Sequence, residues 1–265
     1  MPSPTPPGPT VPAIFRGFSA PGTPRVTWYG DDGERIELSG AVLENWVAKS
    51  TNLLVEELDV GPGSTVALDL PVHWRSVVWA LASWQAGGTV AISDGQHDPS
   101  DGGPGSAADV AVTTRPDAWG STADVVAVAL PALARRYPDP LPAGAVDAAS
   151  AVMTYADQVG WVPSTDADAP ALAPGDGTTS FAELSTAGLG AAEALGAPRA
   201  ARVLLGPERG LAATLLAVLG VLTTDGSVVL VSPSVADELR VDSDRRARIV
   251  GTEHVTVDAL SSTAG

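Results

Sequence analysis

The sequence contains no cysteine among its 265 residues. Disulfide bonds, thiolate metal sites and a cysteine nucleophile are therefore excluded, and the composition is compatible with the cytoplasm, where we expect the protein to reside. Lysine is nearly absent as well, because Lys49 stands alone beside fourteen arginines. Arginine remains charged and cannot be tuned as lysine can, so chemistry that depends on lysine has a single candidate here.

Basic residues are also outnumbered, with 15 Lys and Arg against 31 Asp and Glu, which gives a formal net charge of -16. A chain of this charge repels phosphate backbones and anionic lipid, so nucleic acid is not expected as a partner. Long apolar runs are missing too. The longest covers residues 211–222, which is too short to span a bilayer and is typical of a buried helix, so we expect no membrane partner.

Residues 1–13 are rich in proline and show no basic segment followed by an apolar one. This composition predicts a disordered tail and no secretion signal. A second proline-rich stretch makes residues 138–144 a candidate linker between two α/β lobes, at 14–137 and 145–265. The hydrophobic share of 45% is enough to supply a core.

Local patterns predict alternating strands and helices. The Gly-Asp-Asp-Gly turn at 30–33 suits a hairpin between residues 26–29 and 34–38, and Ser39 can cap a helix that ends near residue 59, with Leu38 and Leu43 as a hydrophobic staple. Further strands are predicted at 64–70, 89–92, 109–113, 124–129, 203–205, 227–231 and 254–257, further helices at 72–85, 181–195, 211–222 and 235–248, and weak helical character at 145–158. A strand, helix, strand order with short turns is typical of a parallel α/β fold.

Residues 35–94 combine several features in a particular order. A Gly61-Pro62-Gly63 turn precedes a Val-Ala-Leu strand, and a helix ending in Trp84-Gln85-Ala86-Gly87-Gly88 leads to a strand that runs toward Asp94. This order resembles the N-terminal part of AMP-forming acyl-CoA synthetases and ligases, the adenylate-forming superfamily, and the layout resembles a short actinobacterial family of this kind. The resemblance implies mainly parallel β-sheets flanked by helices. The family's later adenine and ribose motifs, and its C-terminal domain with the catalytic lysine, have no counterpart in this sequence.

The resemblance also places residues 169–177 where the family carries its phosphate loop. The corresponding degenerate loop positions are Gly175, Gly177, Thr178, Thr179 and Ser180. In the family, backbone N–H groups and hydroxyls cradle the ATP phosphates while a lysine neutralises their charge. No Lys or Arg lies nearby here, and Asp176 stands where phosphate would be, so we interpret the segment as a structural turn. No cofactor is expected, with residual ATP or AMP binding as the alternative.

No histidine belongs to a pattern that indicates a metal site. His73, His97 and His254 lack suitable spacing, and we interpret the acidic loop around His97, with Asp94, Asp98 and Asp101, as solvated surface rather than a cation site. A nucleophile elbow and a complete dinucleotide-binding glycine pattern are also missing from the sequence.

Tryptophan is the most abundant aromatic residue, with seven copies. Trp46, Trp74 and Trp84 follow helical apolar stripes and are predicted in the core. Trp28, Trp119 and Trp161 lie in less regular sequence, where lining a pocket or contacting a partner is an alternative to core packing. Lys49 is predicted on the solvated side of its helix, where it would be dispensable for chemistry.

Three functional hypotheses follow. The sequence favours a noncatalytic synthetase-like domain retained for binding or assembly. The alternatives are an adenylate-forming, acyl-CoA synthetase-like ligase that depends on arginines or a partner chain, and a small-molecule sensor with an acyl or nucleotide pocket. In complete enzymes of the resembled family, further strands and helices cover the segments that correspond to residues 203–231 and 254–257. We therefore expect a second copy in a homodimer, or another protein chain, to cover these segments here.

Overall fold

The structure is a computed structural model that describes residues 11–93, 107–119, 123–175 and 177–260. In chain order the strands are β1 (Pro24–Tyr29), β2 (Arg35–Ser39), β3 (Thr65–Asp69), β4 (Thr89–Ile92), β5 (Val110–Thr113), β6 (Asp124–Ala127), β7 (Val146–Asp147), β8 (Pro170–Ala173), β9 (Thr179–Ser180), β10 (Arg202–Leu205), β11 (Ser227–Val231) and β12 (Val257–Asp258). The helices are α1 (Val11–Arg16), α2 (Gly40–Glu56), α3 (Trp74–Ala86), α4 (Pro116–Trp119), α5 (Ala148–Ala151), α6 (Phe181–Ala194), α7 (Gly210–Thr223), α8 (Pro233–Val241) and α9 (Ser243–Thr252).

The strands form two sheets. One has the order β12-β10-β11-β1-β2, and the other has the order β7-β6-β5-β3-β4-β8-β9. Only the β1–β2 and β8–β9 pairs are antiparallel among the described residues, and every other neighbouring pair is parallel. The predicted fold class, mainly parallel sheets flanked by helices, is therefore confirmed.

The predicted hairpin and the start of helix α2 are confirmed in detail. Asp32 and Gly33 take positive φ angles of 53° and 78° in the turn between β1 and β2. The Ser39 side chain accepts a hydrogen bond from the Val42 N–H and caps α2, and both staple residues, Leu38 and Leu43, are buried. Local turn and capping chemistry thus sets where this helix begins.

The main core lies between the two sheets. It joins alternate residues of both, such as Val26 and Leu68, with helices α2, α3 and α7. Helix α3 is buried around nearly its whole circumference, as expected for a helix between two sheets. The opposite face of the five-stranded sheet packs on α8 and α9, and that of the seven-stranded sheet packs around Trp119. Helices long and apolar enough to cross a bilayer are absent from the described part of the chain.

Several predicted boundaries are wrong. The composition predicts that residues 11–13 belong to the tail, but Val11 begins helix α1 because Val11, Ile14 and Phe15 bury a shared apolar face. Residues 1–10 lie outside the described residues. The sheets do not divide at the candidate linker 138–144, since β6 pairs with β7 and β4 pairs with β8 across it. The helix predicted at 235–248 is two helices, because the Asp242 side chain caps a new one by accepting from the Arg245 N–H.

A segment after α5 lies along helix α2. Buried Asn52 donates from Nδ2 to the carbonyls of Ala156 (3.0 Å) and Gln158 (2.9 Å), and its Oδ1 accepts from the Gly160 N–H at 3.2 Å. Lys49 donates to the Tyr155 carbonyl and is partly buried, so the prediction that it lies on a solvated side is wrong. Two polar side chains of α2 thus donate hydrogen bonds to three backbone carbonyls of this segment.

Candidate functional site

The predicted phosphate-loop residues lie on one connection, between strand β8 and helix α6. Gly175 and Gly177 have positive φ angles of 118° and 91°. Thr178 follows Gly177 and precedes the short strand β9, which Thr179 and Ser180 form. Asp176 lies outside the described residues. The structure thus brings the five candidate residues together at the N-terminus of a 14-residue helix.

That helix N-terminus already holds an anionic group of the chain itself. The Glu183 carboxylate accepts from the Ser180 N–H at 3.0 Å and from the Ser180 hydroxyl at 2.9 Å, while the Glu183 N–H donates back to Ser180 Oγ at 3.3 Å. These bonds hold the pKa of Glu183 below its ordinary value, the backbone bond first. This capping box occupies the position where a helix N-terminus would otherwise attract phosphate.

A second candidate site is a cleft of about 540 Å³ where the carboxyl ends of parallel strands from both sheets meet. We name it the strand-end cleft. Its lining follows strands β1, β3, β6 and β11 and consists of Trp28, Gly30, Asp31, Asp32, Gly33, Glu34, Pro71, Val72, His73, Leu130, Pro131, Ser232 and Pro233. Ligands of open α/β sheets bind beyond the carboxyl ends of the strands, and this volume is in the range of small-molecule sites.

Trp28 and His73 form an aromatic pair in this cleft. Their ring centroids lie 4.5 Å apart at an interplanar angle of 66°. Trp28 Nε1 donates to Glu34 Oε2 at 3.1 Å, and Glu34 Oε1 accepts from the Ala132 N–H at 2.9 Å. An added Cβ at Gly30 would lie 2.7 Å from Trp28 Nε1 and 2.8 Å from Glu34 Oε2, so this glycine makes room for the bond.

His73 begins helix α3 as its N-cap. Its Nδ1 accepts from the Arg75 N–H at 3.1 Å, so in the neutral ring Nε2 carries the proton. Burial, and then the positive charge of Arg75, lower the pKa of His73 to about 3. Arg75 itself is buried against Trp74, 4.3 Å from its ring centroid, and burial lowers the pKa of Arg75 to about 10. His73 therefore presents a neutral N–H donor at ordinary pH.

Two buried carboxylates outside the cleft hold the architecture together. Asp69, at the end of β3, accepts from Thr113 Oγ1 (2.6 Å), from Arg115 and from Trp119 Nε1 (3.0 Å). Burial alone would raise the pKa of Asp69, but these bonds, that of Arg115 foremost, hold it below its ordinary value. Because side chains of the same chain satisfy the Asp69 carboxylate, we interpret the cluster as structural. Trp119 is fully buried and is a core residue rather than a pocket residue.

Glu253 is the second of these carboxylates. It accepts from the Tyr29 hydroxyl (2.6 Å), from Arg35 Nε (2.9 Å) and from Arg202. Burial would raise the pKa of Glu253, but the bonds from Arg35, Tyr29 and Arg202 lower it to about 2. A neighbouring cleft of about 480 Å³ contains three arginines, yet each contacts a carboxylate, so it is not a free anion site.

The remaining sequence candidates are dispersed. His254 is exposed, and Trp161 has 75% of its surface exposed. His97 and the acidic loop predicted around it lie outside the described residues, and within those residues no group of three His, Asp or Glu side chains is suited to a metal ion. Sequence reasoning missed the strand-end cleft, although polar or turn residues directly after several predicted strands were a usable signal.

Comparison with known proteins shows one sequence relative and many structural ones. The chain is 38% identical over 146 residues to a TIGR03089 family protein of Mycobacterium tuberculosis. The aligned segment covers 51% of this chain and 55% of the relative. No family model matches the sequence. The chain thus spans about half the length of the curated relative it matches.

Solved structures of similar fold include several synthetases. The acyl-CoA synthetase of Brucella canis has a TM-score of 0.73 at 18% identity, over 95% of this chain and 47% of the neighbour. The acetoacetyl-CoA synthetase of Streptomyces lividans has a TM-score of 0.70 at 18% identity, and the match covers 94% of this chain and 41% of that enzyme. MatB of Rhodopseudomonas palustris has a TM-score of 0.64 at 16% identity, and the match covers 88% of this chain and 48% of MatB. The chain has the fold of the N-terminal region of AMP-dependent acyl-CoA synthetases, as its sequence resemblance predicted, and its curated relative is a mycobacterial TIGR03089 family protein.

Proposed function

We propose that this region is a noncatalytic, acyl-CoA synthetase-like domain retained for binding or assembly. The observation that carries the proposal is the capping box at the phosphate-loop position, where the Ser180 hydroxyl and N–H are bonded to Glu183. A bound triphosphate would have to displace this carboxylate or lie beside it. Residues 169–195 contain no Lys or Arg to offset the added charge.

The electrostatic requirements of adenylation support the same proposal. Adenylation requires the ATP phosphates to be positioned and their developing charge to be stabilised, and losing one such stabiliser costs about 3 to 4 kcal/mol. Here the loop lysine of the resembled family has no counterpart, and the hydroxyl of Ser180 is engaged with a carboxylate. A ligase that takes the missing groups from a partner chain is the competing proposal.

Pyrophosphate exchange tests the proposal. We expect the purified chain to show no carboxylate-dependent exchange of pyrophosphate into ATP above background, across acetate, malonate, acetoacetate and longer acyl acids. Thr178→Ala and Thr179→Ala should then match the wild type. Exchange in the wild type that either substitution abolishes would contradict a noncatalytic role.

The same proposal includes association with a second protein chain, first of all another copy, in the cytoplasm. Exposed apolar side chains after helix α5 support a contact surface there, since Met153 is 61% and Trp161 is 75% exposed. Light scattering after size exclusion, over a wide dilution range, should show a dimer that Trp161→Ser weakens. A wild-type monomer of 26.8 kDa at every concentration, with no partner in native extract, would contradict association.

A further inference from the structure

We propose that the strand-end cleft binds a small organic cation whose uncharged part carries a hydrogen-bond acceptor. This proposal rests on the proposed binding role and names the ligand class. It concerns a different part of the fold from the degenerate phosphate loop, and it is carried by the charge of the lining, by one unpaired donor and by the shape of the walls.

The charge of the lining selects against anions. Three carboxylates, those of Asp31, Asp32 and Glu34, line the cleft, and no Lys or Arg is among its described lining residues. The one titratable base in the lining, His73, is neutral at ordinary pH. The cleft therefore attracts positive charge and repels carboxylates and phosphates.

The three carboxylates differ in how free they are. Asp31 accepts from the hydroxyls of Ser234 and Ser232, which lower its pKa, and Glu34 accepts from Trp28 and from the Ala132 N–H. The exposed Asp32 carboxylate makes no hydrogen bond to any residue in the described ranges. Asp32 at the rim is thus the group best placed to meet a ligand's ammonium.

His73 supplies the independent observation that points to a ligand. Only 3% of its surface is exposed, yet it lines the cleft, and its Nε2 makes no hydrogen bond to any described residue while Nδ1 is occupied by the Arg75 N–H. Because Nδ1 faces the Arg75 N–H, Nε2 is the ring nitrogen left to face the cleft that His73 lines. A buried N–H donor of fixed tautomer calls for an acceptor such as an amide carbonyl.

The walls between these groups are largely apolar. Trp28 lies beside His73, and Val72, Leu130, Pro131 and Pro233 add further apolar surface. Rigid apolar walls with a few convergent polar groups are characteristic of small-molecule sites. The ligand class is accordingly an amine with an apolar or aromatic body and a carbonyl.

Matched pairs of opposite charge test the proposal by ligand-observed and protein-observed NMR. The cationic probes are L-phenylalaninamide and tyramine, and the anionic probes are N-acetyl-L-phenylalanine and 4-hydroxyphenylacetate. We expect L-phenylalaninamide to bind at millimolar concentration, more tightly than its anionic counterpart, and to shift backbone amides of residues 30–34 and 72–73. Raising the salt concentration should weaken binding.

Substitutions at the cleft give the second test. Asp32→Asn should weaken binding of L-phenylalaninamide about threefold. Asp59→Asn is the matched control, because Asp59 is also exposed with a similar φ, 50° against 53°, but precedes the amino end of β3 instead of following a carboxyl end. His73→Asn keeps an N-cap and removes Nε2, so it should weaken binding about tenfold.

Several results would overturn the proposal: no cationic probe binding, an anionic probe binding as tightly as its pair, shifts outside the cleft, or equal effects of Asp32→Asn and Asp59→Asn. Failure of these tests leaves the noncatalytic proposal standing, because pyrophosphate exchange depends on a different segment. Exchange activity, conversely, would not affect the preference of the cleft for cations.

Discussion

The buried imidazole of His73 predicts a pH dependence of stability that one substitution can isolate. Its pKa is about 3 in the folded protein against 6.5 for an exposed histidine, because burial disfavours the charged ring. The unfolded chain therefore binds a proton that the folded chain does not between these values, and stability is lost as pH falls through this window. One proton contributes about 1.4 kcal/mol per pH unit, so the loss from pH 6.5 to 4.5 should be about 2 to 3 kcal/mol.

Urea unfolding followed by tryptophan fluorescence measures this loss. His73→Asn should remove the pH-dependent part above pH 4.5 while keeping a hydrogen-bonding cap on α3. His254→Asn is the control, because His254 is exposed and has a positive φ of 52°, which asparagine tolerates. Equal pH slopes for the wild type and His73→Asn would show that His73 does not cause the loss of stability, and an NMR titration of His73 with a midpoint near 6.5 would contradict its lowered pKa.

Three further substitutions, the first with a matched control, test the packing and the buried polar groups. Gly220→Ala should destabilise the fold by about 3 kcal/mol or more, because the added Cβ would lie 1.9 Å from the Gly188 carbonyl oxygen. The control Gly190→Ala on α6 places its Cβ in open space and should stabilise the fold by up to about 1 kcal/mol. Equal effects of the two substitutions in thermal melts would contradict this packing. Asn52→Asp places a carboxylate against two backbone carbonyls and should cost about 3 kcal/mol in urea unfolding, and a neutral result would exclude the observed bonding. Glu253→Gln should remove the part of acid destabilisation that arises as pH falls from about 4.5 to about 2, because the Glu253 carboxylate stabilises the fold only while it is ionised. An unchanged acid transition would contradict this role of Glu253.

The sequence predicts elements well where local chemistry decides them. The turn at Asp32 and Gly33, the Ser39 cap and the paired staple residues are all local signals, and the structure follows them. Order along the chain also identified the fold class, because parallel neighbours require crossover helices.

Long-range packing explains what the sequence did not predict. Lys49 has helical neighbours that favour a solvated side, but a segment over a hundred residues later lies on it, and helical periodicity carries no such information. The pairing of β8 with β4 likewise depends on contacts such as that of Trp84 Nε1 with the Ala171 carbonyl, at 2.8 Å. The strand-end cleft unites residues from 28 to 233, so only the assembled sheets reveal it.

Calorimetric titration of the purified chain with magnesium ATP measures whether the degenerate phosphate loop binds nucleotide. We predict no saturable heat at millimolar nucleotide, in the wild type and in Glu183→Gln alike, because removing the carboxylate still leaves the loop without a cation. The control Glu193→Gln alters an exposed residue at the other end of α6. Stoichiometric micromolar binding by the wild type, lost in Thr178→Ala, would contradict the account.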